Sequence, residues 1–119
     1  MEKLTQQEEE AMQAVWKIVE GNIKSFMGAL DEPLPPYTTL ASTIKNLEKK
    51  GFVKSKLIGN SHIYSPEITE EVYKQQFMGN VVKGYFENSY KEMVSFFVEK
   101  NKISTEELKE IIGLIEGKK

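Results

Sequence analysis

Residues 35–66 constrain the fold more than any other stretch, because they combine an amphipathic helix, a stop signal and a hairpin. Leu40, Ile44 and Leu47 follow the i, i+4, i+7 spacing of a helix and predict one apolar stripe. At about 100° per residue, the other side of this helix is small, polar and positive, with no acidic group at its centre. That polar side carries Thr38, Ser42, Lys45 and Lys49, flanked by Thr39 and Asn46, and Thr43 is a further candidate DNA contact on this helix.

Signals for a stop and a two-stranded hairpin follow the helix. Gly51 stands where a left-handed helix cap is expected, and Phe52-Val53 begins an extended run. Gly59-Asn60 is a turn dipeptide, and a second extended run covers residues 62–66. A polar helix followed by a basic hairpin is typical of the recognition helix and wing of a winged helix-turn-helix.

The positive charge of the chain is concentrated in this stretch. The net charge of the 119 residues is −2, yet residues 37–66 hold five lysines and one glutamate, which is +4. Such a local patch favours nucleic acid as the partner, even though the whole chain is slightly acidic. All sixteen basic residues are lysine, so the arginine fork that reads guanine best is missing.

The predicted contact residues divide by chemistry. On the helix, Lys45 and Lys49 are expected to hold phosphates, whereas hydroxyl and amide side chains reach base edges. On the hairpin, five side chains are expected to hold the DNA backbone or enter the minor groove: Lys54, Lys56, Asn60, Ser61 and His62. Periodicity alone leaves two other interpretations open, a solvated helix surface and a protein-binding adaptor that never contacts DNA.

The first 36 residues predict two helices that complete such a domain. Thr5-Gln6-Gln7-Glu8 is a capping box and opens a helix that runs to about Glu20. The inner stripe of that helix is predicted to be Met12, Val15, Trp16 and Val19. Gly21-Asn22 ends it, and a second, shorter helix follows. Three prolines in residues 33–36 then predict a surface loop, with room for a short strand against the hairpin.

Residues 69–119 predict two or three short helices with more apolar side chains than they can bury alone. Thr69 is a candidate N-cap, Gly79-Asn80 and Gly84 interrupt the apolar pattern, and Ser104 opens a second capping box. We expect a second copy of the chain on these apolar faces. A small-molecule pocket within the aromatic cluster is the alternative. The predicted dimer contact consists of Tyr85, Phe86, Tyr90, Met93, Val94, Phe97, Leu108, Ile111, Ile112 and Ile115.

Four segments in order carry a resemblance to a known family. They are Leu4-Thr5 through Trp16, Tyr37-Thr38-Thr39-Leu40 through Val53, His62 through Pro66, and Met93 through Leu108. Together they resemble the penicillinase-repressor family, which also includes the methicillin-resistance and copper-transport repressors. The resemblance implies a homodimeric repressor, mainly α with a small β-hairpin, that binds a pseudo-palindromic double-stranded DNA operator upstream of resistance genes. It implies a winged helix in residues 1–68 and a helical dimerisation region in residues 69–119.

The resemblance also implies how the repressor is released. In the antibiotic-responsive branch, a membrane-bound sensor metalloprotease, or a protease downstream of it, leads to cleavage inside the dimerisation region. The matching bond lies between Phe96 and Phe97, where some members have Asn-Phe. The copper branch binds metal through a cysteine cluster, and this sequence contains no cysteine.

No pattern of an enzyme, a metal site or a membrane span is present in the sequence. There is no Ser-His-Asp spacing and no phosphate-cradling glycine loop. His62 is the only histidine, so we expect neither a metal site nor a cofactor. No apolar run approaches the roughly 18 residues of a membrane helix, and no signal peptide is recognisable. We therefore expect a cytoplasmic, non-enzymatic DNA-binding protein.

Overall fold

The computed structural model describes residues 2–117, and this part of the chain forms six helices and one hairpin. The helices are α1 (Gln6–Ile18), α2 (Ile23–Met27), α3 (Tyr37–Lys49), α4 (Glu70–Tyr85), α5 (Tyr90–Glu99) and α6 (Thr105–Glu116). The antiparallel strands β1 (Val53–Ile58) and β2 (Ser61–Pro66) lie between α3 and α4. The predicted fold class, mainly helical with the hairpin of a winged helix, is confirmed. The chain divides into two compact units, one through Lys74 and the other from Gln75 onward.

The first unit is organised around the apolar stripe of α3. Leu40, Ile44 and Leu47 are each at most 3% exposed, which confirms the predicted stripe. Side chains from α1, α2 and β1 complete this core, among them Met12, Val15, Phe26 and Val53. Burial of this stripe turns the opposite side of α3 to solvent.

The hairpin has the predicted turn. Gly51 ends the helical segment with a φ of +83°, in the left-handed region that a glycine tolerates. The strands pair from Val53 with Pro66 to Ile58 with Ser61. Gly59 has a φ of +61° at the first central position of the two-residue turn, as type II′ turns require.

The end of α1 differs from the prediction. The helix ends at Ile18 instead of about Glu20, and Val19 has a φ of 75° and is 60% exposed. The assignment of Val19 to the inner stripe is therefore wrong. The helix ends early because of a contact with a distant part of the chain. The backbone of Gly21 forms two hydrogen bonds with the backbone of Tyr64 in β2, at N–O distances of 2.8 and 3.0 Å. Gly21, and not the proline segment, is thus the residue that lies against the hairpin.

Three helices follow the hairpin, as predicted, and α4 runs without a break through Gly79, Asn80 and Gly84, where the apolar pattern is interrupted. A glycine costs a helix interior only about 1 kcal/mol relative to alanine, which is too little to end a helix of 16 residues. The caps around the helices are as predicted. Thr69 Oγ1 accepts from the N–H of Val72 at 3.2 Å, and Ser104 forms a capping box with Glu107.

Glu8 is a buried acid that joins the start of α1 to the end of α3. Its Oε1 accepts hydrogen bonds from Lys50 Nζ at 2.8 Å and from the backbone N–H of Thr5 at 2.9 Å. Burial by itself raises the pKa of Glu8, but the hydrogen bonds and the charge of Lys50 outweigh it. The pKa of Glu8 therefore lies below its ordinary value of 4.5. A lowered carboxyl pKa stabilises the fold above the unfolded pKa, and this stabilisation is lost as the pH falls through the folded pKa.

We expect Glu8→Gln to lower the free energy of unfolding by about 2 kcal/mol at pH 7, because a neutral amide replaces the carboxylate that Lys50 contacts. The difference between the two proteins should shrink as the pH falls below the folded pKa of Glu8. Urea unfolding followed between about pH 3 and pH 7 measures both effects. Glu10→Gln, an exposed site on the same helix, is the control and should change stability by less than about 0.5 kcal/mol. Equal stability of wild type and Glu8→Gln at pH 7 would contradict this assignment.

Candidate nucleic-acid interface

The outer side of α3 presents most of the side chains of this helix that were predicted for DNA contact. Five of them are exposed and one, Thr39, is half-buried. The exposed ones are Thr38, Ser42, Lys45, Asn46 and Lys49. Because the opposite stripe of α3 is held in the core, these groups point outward as a set. We call this set, with Thr39, the α3 polar face.

Thr43 does not belong to the α3 polar face. It is only 6% exposed, and its hydroxyl donates to the carbonyl oxygen of Thr39 at 2.9 Å. Thr43 lies three residues after Leu40 and four before Leu47, a spacing that places it on the core side of the helix. Its assignment as a DNA contact is corrected on this ground.

One face of the hairpin is turned toward α3. The Ser55 hydroxyl donates to Glu48 of α3, with Oγ 2.6 Å from Oε2, and Tyr64, which pairs with Ser55, is 5% exposed. Side chains of directly paired residues share a face, and successive residues alternate between faces. The next pair on this face is therefore Leu57 and His62, closer to the turn, where both are exposed.

The hairpin lysines lie on the opposite face and have acidic neighbours. Lys54 Nζ is 3.7 Å from Glu67 Oε2, and Lys56 Nζ is 3.5 Å from Glu20 Oε2. Exposed pairs of this kind contribute little to stability, but they mark where the two cations lie. The structure thus separates Lys54 and Lys56 from His62, with which the sequence grouped them. The two remaining predicted wing residues are exposed at the turn: Asn60 and Ser61.

Three of the five lysines in residues 37–66 have acidic neighbours, so less of this positive charge is available to DNA than the sequence indicates. Lys50 is paired with Glu8, and the two hairpin lysines have acidic neighbours. Within residues 2–117, Lys45 and Lys49 form no ion pair and are both exposed. The cations free to meet phosphates are therefore concentrated on α3.

Two residues near this interface were not singled out from the sequence. Tyr37, the first residue of α3, is 55% exposed, and Leu57 of the hairpin is 63% exposed. The alternation of side chains along a strand could have shown which face Leu57 occupies, because it places Leu57 on the same face as Val53 and Ser55. Its exposure depends on how far the hairpin extends beyond the core, which alternation does not indicate.

A groove of about 500 Å³ lies in the first unit between α1 and the proline segment. Apolar side chains of Ala11, Ala14 and Leu40 line it, together with the acids Glu10 and Asp31. This groove is distinct from the aromatic cluster in which the sequence placed a possible ligand. Within residues 2–117, no three His, Asp or Glu side chains are grouped to hold a metal ion. No helix in the same range is long and apolar enough to cross a membrane.

One known protein family matches this chain over the helices and the hairpin described above. The model of the family described as penicillinase repressor matches residues 4–117, which include α3, the hairpin and helices α4 to α6. No curated protein matches the chain.

Proposed function

The chain belongs to the penicillinase repressor family, a family of DNA-binding transcriptional regulators and not of enzymes, and we propose that it represses as a homodimer on a pseudo-palindromic operator. The observation that carries the proposal is the α3 polar face, on which Lys45 and Lys49 are exposed and free of acidic partners. Operator binding would place its action in the cytoplasm.

Helix α3 is the proposed recognition helix. It contains 13 residues, so it is about 20 Å long and can cross the major groove, which is about 12 Å wide. Lys45 and Lys49 hold phosphates in this arrangement, and the hydroxyl and amide groups of Ser42 and Asn46 meet base edges. Sequence preference then depends on short polar side chains and on DNA shape, since the chain has no arginine.

The second unit is proposed to form the dimer contact, because it has almost no core of its own. Among its described residues, 75–117, Val82 alone is buried. On α6, Ile111, Ile112 and Ile115 are 42%, 52% and 70% exposed. Apolar faces of this extent need a partner, and a second copy supplies one together with a second α3 for the other half-site. The proposed contact residues are Tyr85, Phe86, Tyr90, Met93, Val94, Phe97, Leu108, Ile111, Ile112 and Ile115.

Release is proposed to occur by loss of the dimer after cleavage between Phe96 and Phe97, under the control of a membrane sensor metalloprotease. Family membership supports this step and the proposed targets, antibiotic-resistance genes of the β-lactamase type. Both residues lie inside α5, where their carbonyl oxygens accept from the N–H groups of Lys100 and Lys102. A protease binds an extended chain, so cleavage requires α5 to open locally first.

A gel shift on the promoter DNA of the protein's own gene tests the proposal. Two lysines on each of two chains make four phosphate contacts, so affinity should fall about a hundredfold between 50 and 200 mM salt. The shifted band should have the size of a dimer complex. Absence of a shift at both salt concentrations would contradict DNA binding and favour the protein-binding adaptor.

A further inference from the structure

We propose that Leu57 and His62 form a minor-groove contact beside the DNA segment bound by α3, with Leu57 as its apolar element. This inference rests on the proposed function, since it requires α3 to lie on DNA. We call residues 57–62, which span the turn and the two residues before and after it, the wing tip.

The wing tip exposes apolar side chains that the first unit does not cover. Leu57 is 63% exposed and Ile58 is 54% exposed, whereas Val53, on the same strand, is 2% exposed. The cross-strand neighbour of Leu57 is His62, which is also exposed. Covering Leu57 with another surface would remove this apolar area from water.

The shape and charge of the wing tip fit DNA. Its turn consists of Gly59, which has no side chain, and Asn60. Only this end of the hairpin can enter a minor groove, which is about 6 Å wide, since a whole two-stranded ribbon needs the wider major groove. No acidic residue occurs in residues 54–66, so nothing in the hairpin sequence repels the phosphates on either side of the groove. This absence of negative charge from the hairpin favours duplex DNA over a second protein as the surface that covers Leu57.

The position of the lysines argues against a wing that holds DNA only through phosphates. Lys54 and Lys56 lie on the face away from α3, beside Glu67 and Glu20. The face that DNA on α3 would meet therefore presents an aliphatic and an imidazole side chain at the tip. Proteins that enter the minor groove use leucine and isoleucine as apolar wedges against the base steps.

Such a contact would add sequence preference at a position that α3 does not reach. A G·C pair places the guanine N2 amino group on the floor of the minor groove, whereas an A·T pair leaves the floor open. We therefore infer that A·T pairs are preferred in the flank that the wing tip meets. This preference compensates in part for the absence of arginine from the chain.

The test uses the full-length protein and a duplex that the wild type selects from a random-sequence library. The flank beside the selected core is made as A·T, as G·C or as inosine·cytosine, which keeps the major-groove edge of G·C but lacks the N2 amino group. Wild type should bind the A·T and inosine·cytosine duplexes about tenfold more tightly than the G·C duplex. Leu57→Ser should bind all three alike, about tenfold more weakly than wild type binds the A·T duplex. Val72→Ser, at a site that is 49% exposed on α4, is the control and should behave as wild type.

Three results would overturn the inference while leaving the proposed function intact. They are wild-type affinity of Leu57→Ser for the A·T duplex, equal affinity of wild type for the G·C and inosine·cytosine duplexes, and dissociation of the Leu57→Ser dimer in sedimentation. The last would show that the tip contacts a second copy. Failure of the wild type to select any duplex would instead overturn the proposed function, and this inference with it.

Discussion

Replacing Ile112 or Ile115 by aspartate is expected to convert the proposed dimer to monomers and to lower operator affinity by a factor of about 100 to 10,000. The two side chains are 52% and 70% exposed within one chain, so a charge there is solvated in the monomer. In the proposed dimer the same charge would be buried against a second apolar face, where an unpaired carboxylate is strongly unfavourable. Loss of the dimer removes the avidity of two linked half-site contacts, which gives the expected range.

Sedimentation equilibrium measures the oligomeric state, and fluorescence anisotropy with a labelled operator measures affinity. Leu34→Asp is the matched control, because Leu34 is 46% exposed in the first unit and the change in charge is the same. Far-ultraviolet circular dichroism should be similar for all of these proteins at low concentration. A dimeric Ile112→Asp, Ile115→Asp double variant with wild-type affinity would rule out α6 as the dimer contact.

The double variant Lys45→Ala, Lys49→Ala is expected to bind DNA about 10,000-fold more weakly near 50 mM salt and to lose most of its salt dependence. Both lysines are exposed on the α3 polar face and form no ion pair within the described chain. Each phosphate contact contributes about 0.9 to the slope of log affinity against log salt, so removing four from a dimer lowers the slope by about 3.6. The loss should be similar for operator and unrelated DNA, because phosphates carry no sequence information.

Lys17→Ala, Lys24→Ala is the matched control, since it removes the same charge from exposed sites on α1 and α2. It should leave the slope nearly unchanged. Ser42→Ala and Asn46→Ala should instead change which base pairs are preferred, with a smaller effect on unrelated DNA. If the lysine variant and its control lost the same affinity, the effect would come from net charge and not from the α3 polar face.

Local signals predicted the helices and the hairpin well, because the groups that create each signal lie within a few residues of one another. The capping box joins Thr5 to Glu8, three residues apart, and the left-handed conformation of Gly51 concerns a single residue. The stripe of α3 depends only on helical spacing. The same spacing placed the α3 polar face correctly, and it also places Thr43, a predicted DNA contact, on the core side where the structure has it.

The amino-acid sequence by itself determined the order of the elements, the apolar stripe of α3 and the residues available on its polar side. These follow from backbone conformation and from periodicity, which act along the chain. Only the tertiary structure decided that α1 ends at Ile18, since that end depends on the pairing of Gly21 with Tyr64. It also decided that Lys54 and Lys56 lie on the face of the hairpin turned away from α3, whereas Leu57 lies on the face turned toward α3. Ion pairs and faces of this kind join residues distant in sequence, and their partners are set by how the elements pack.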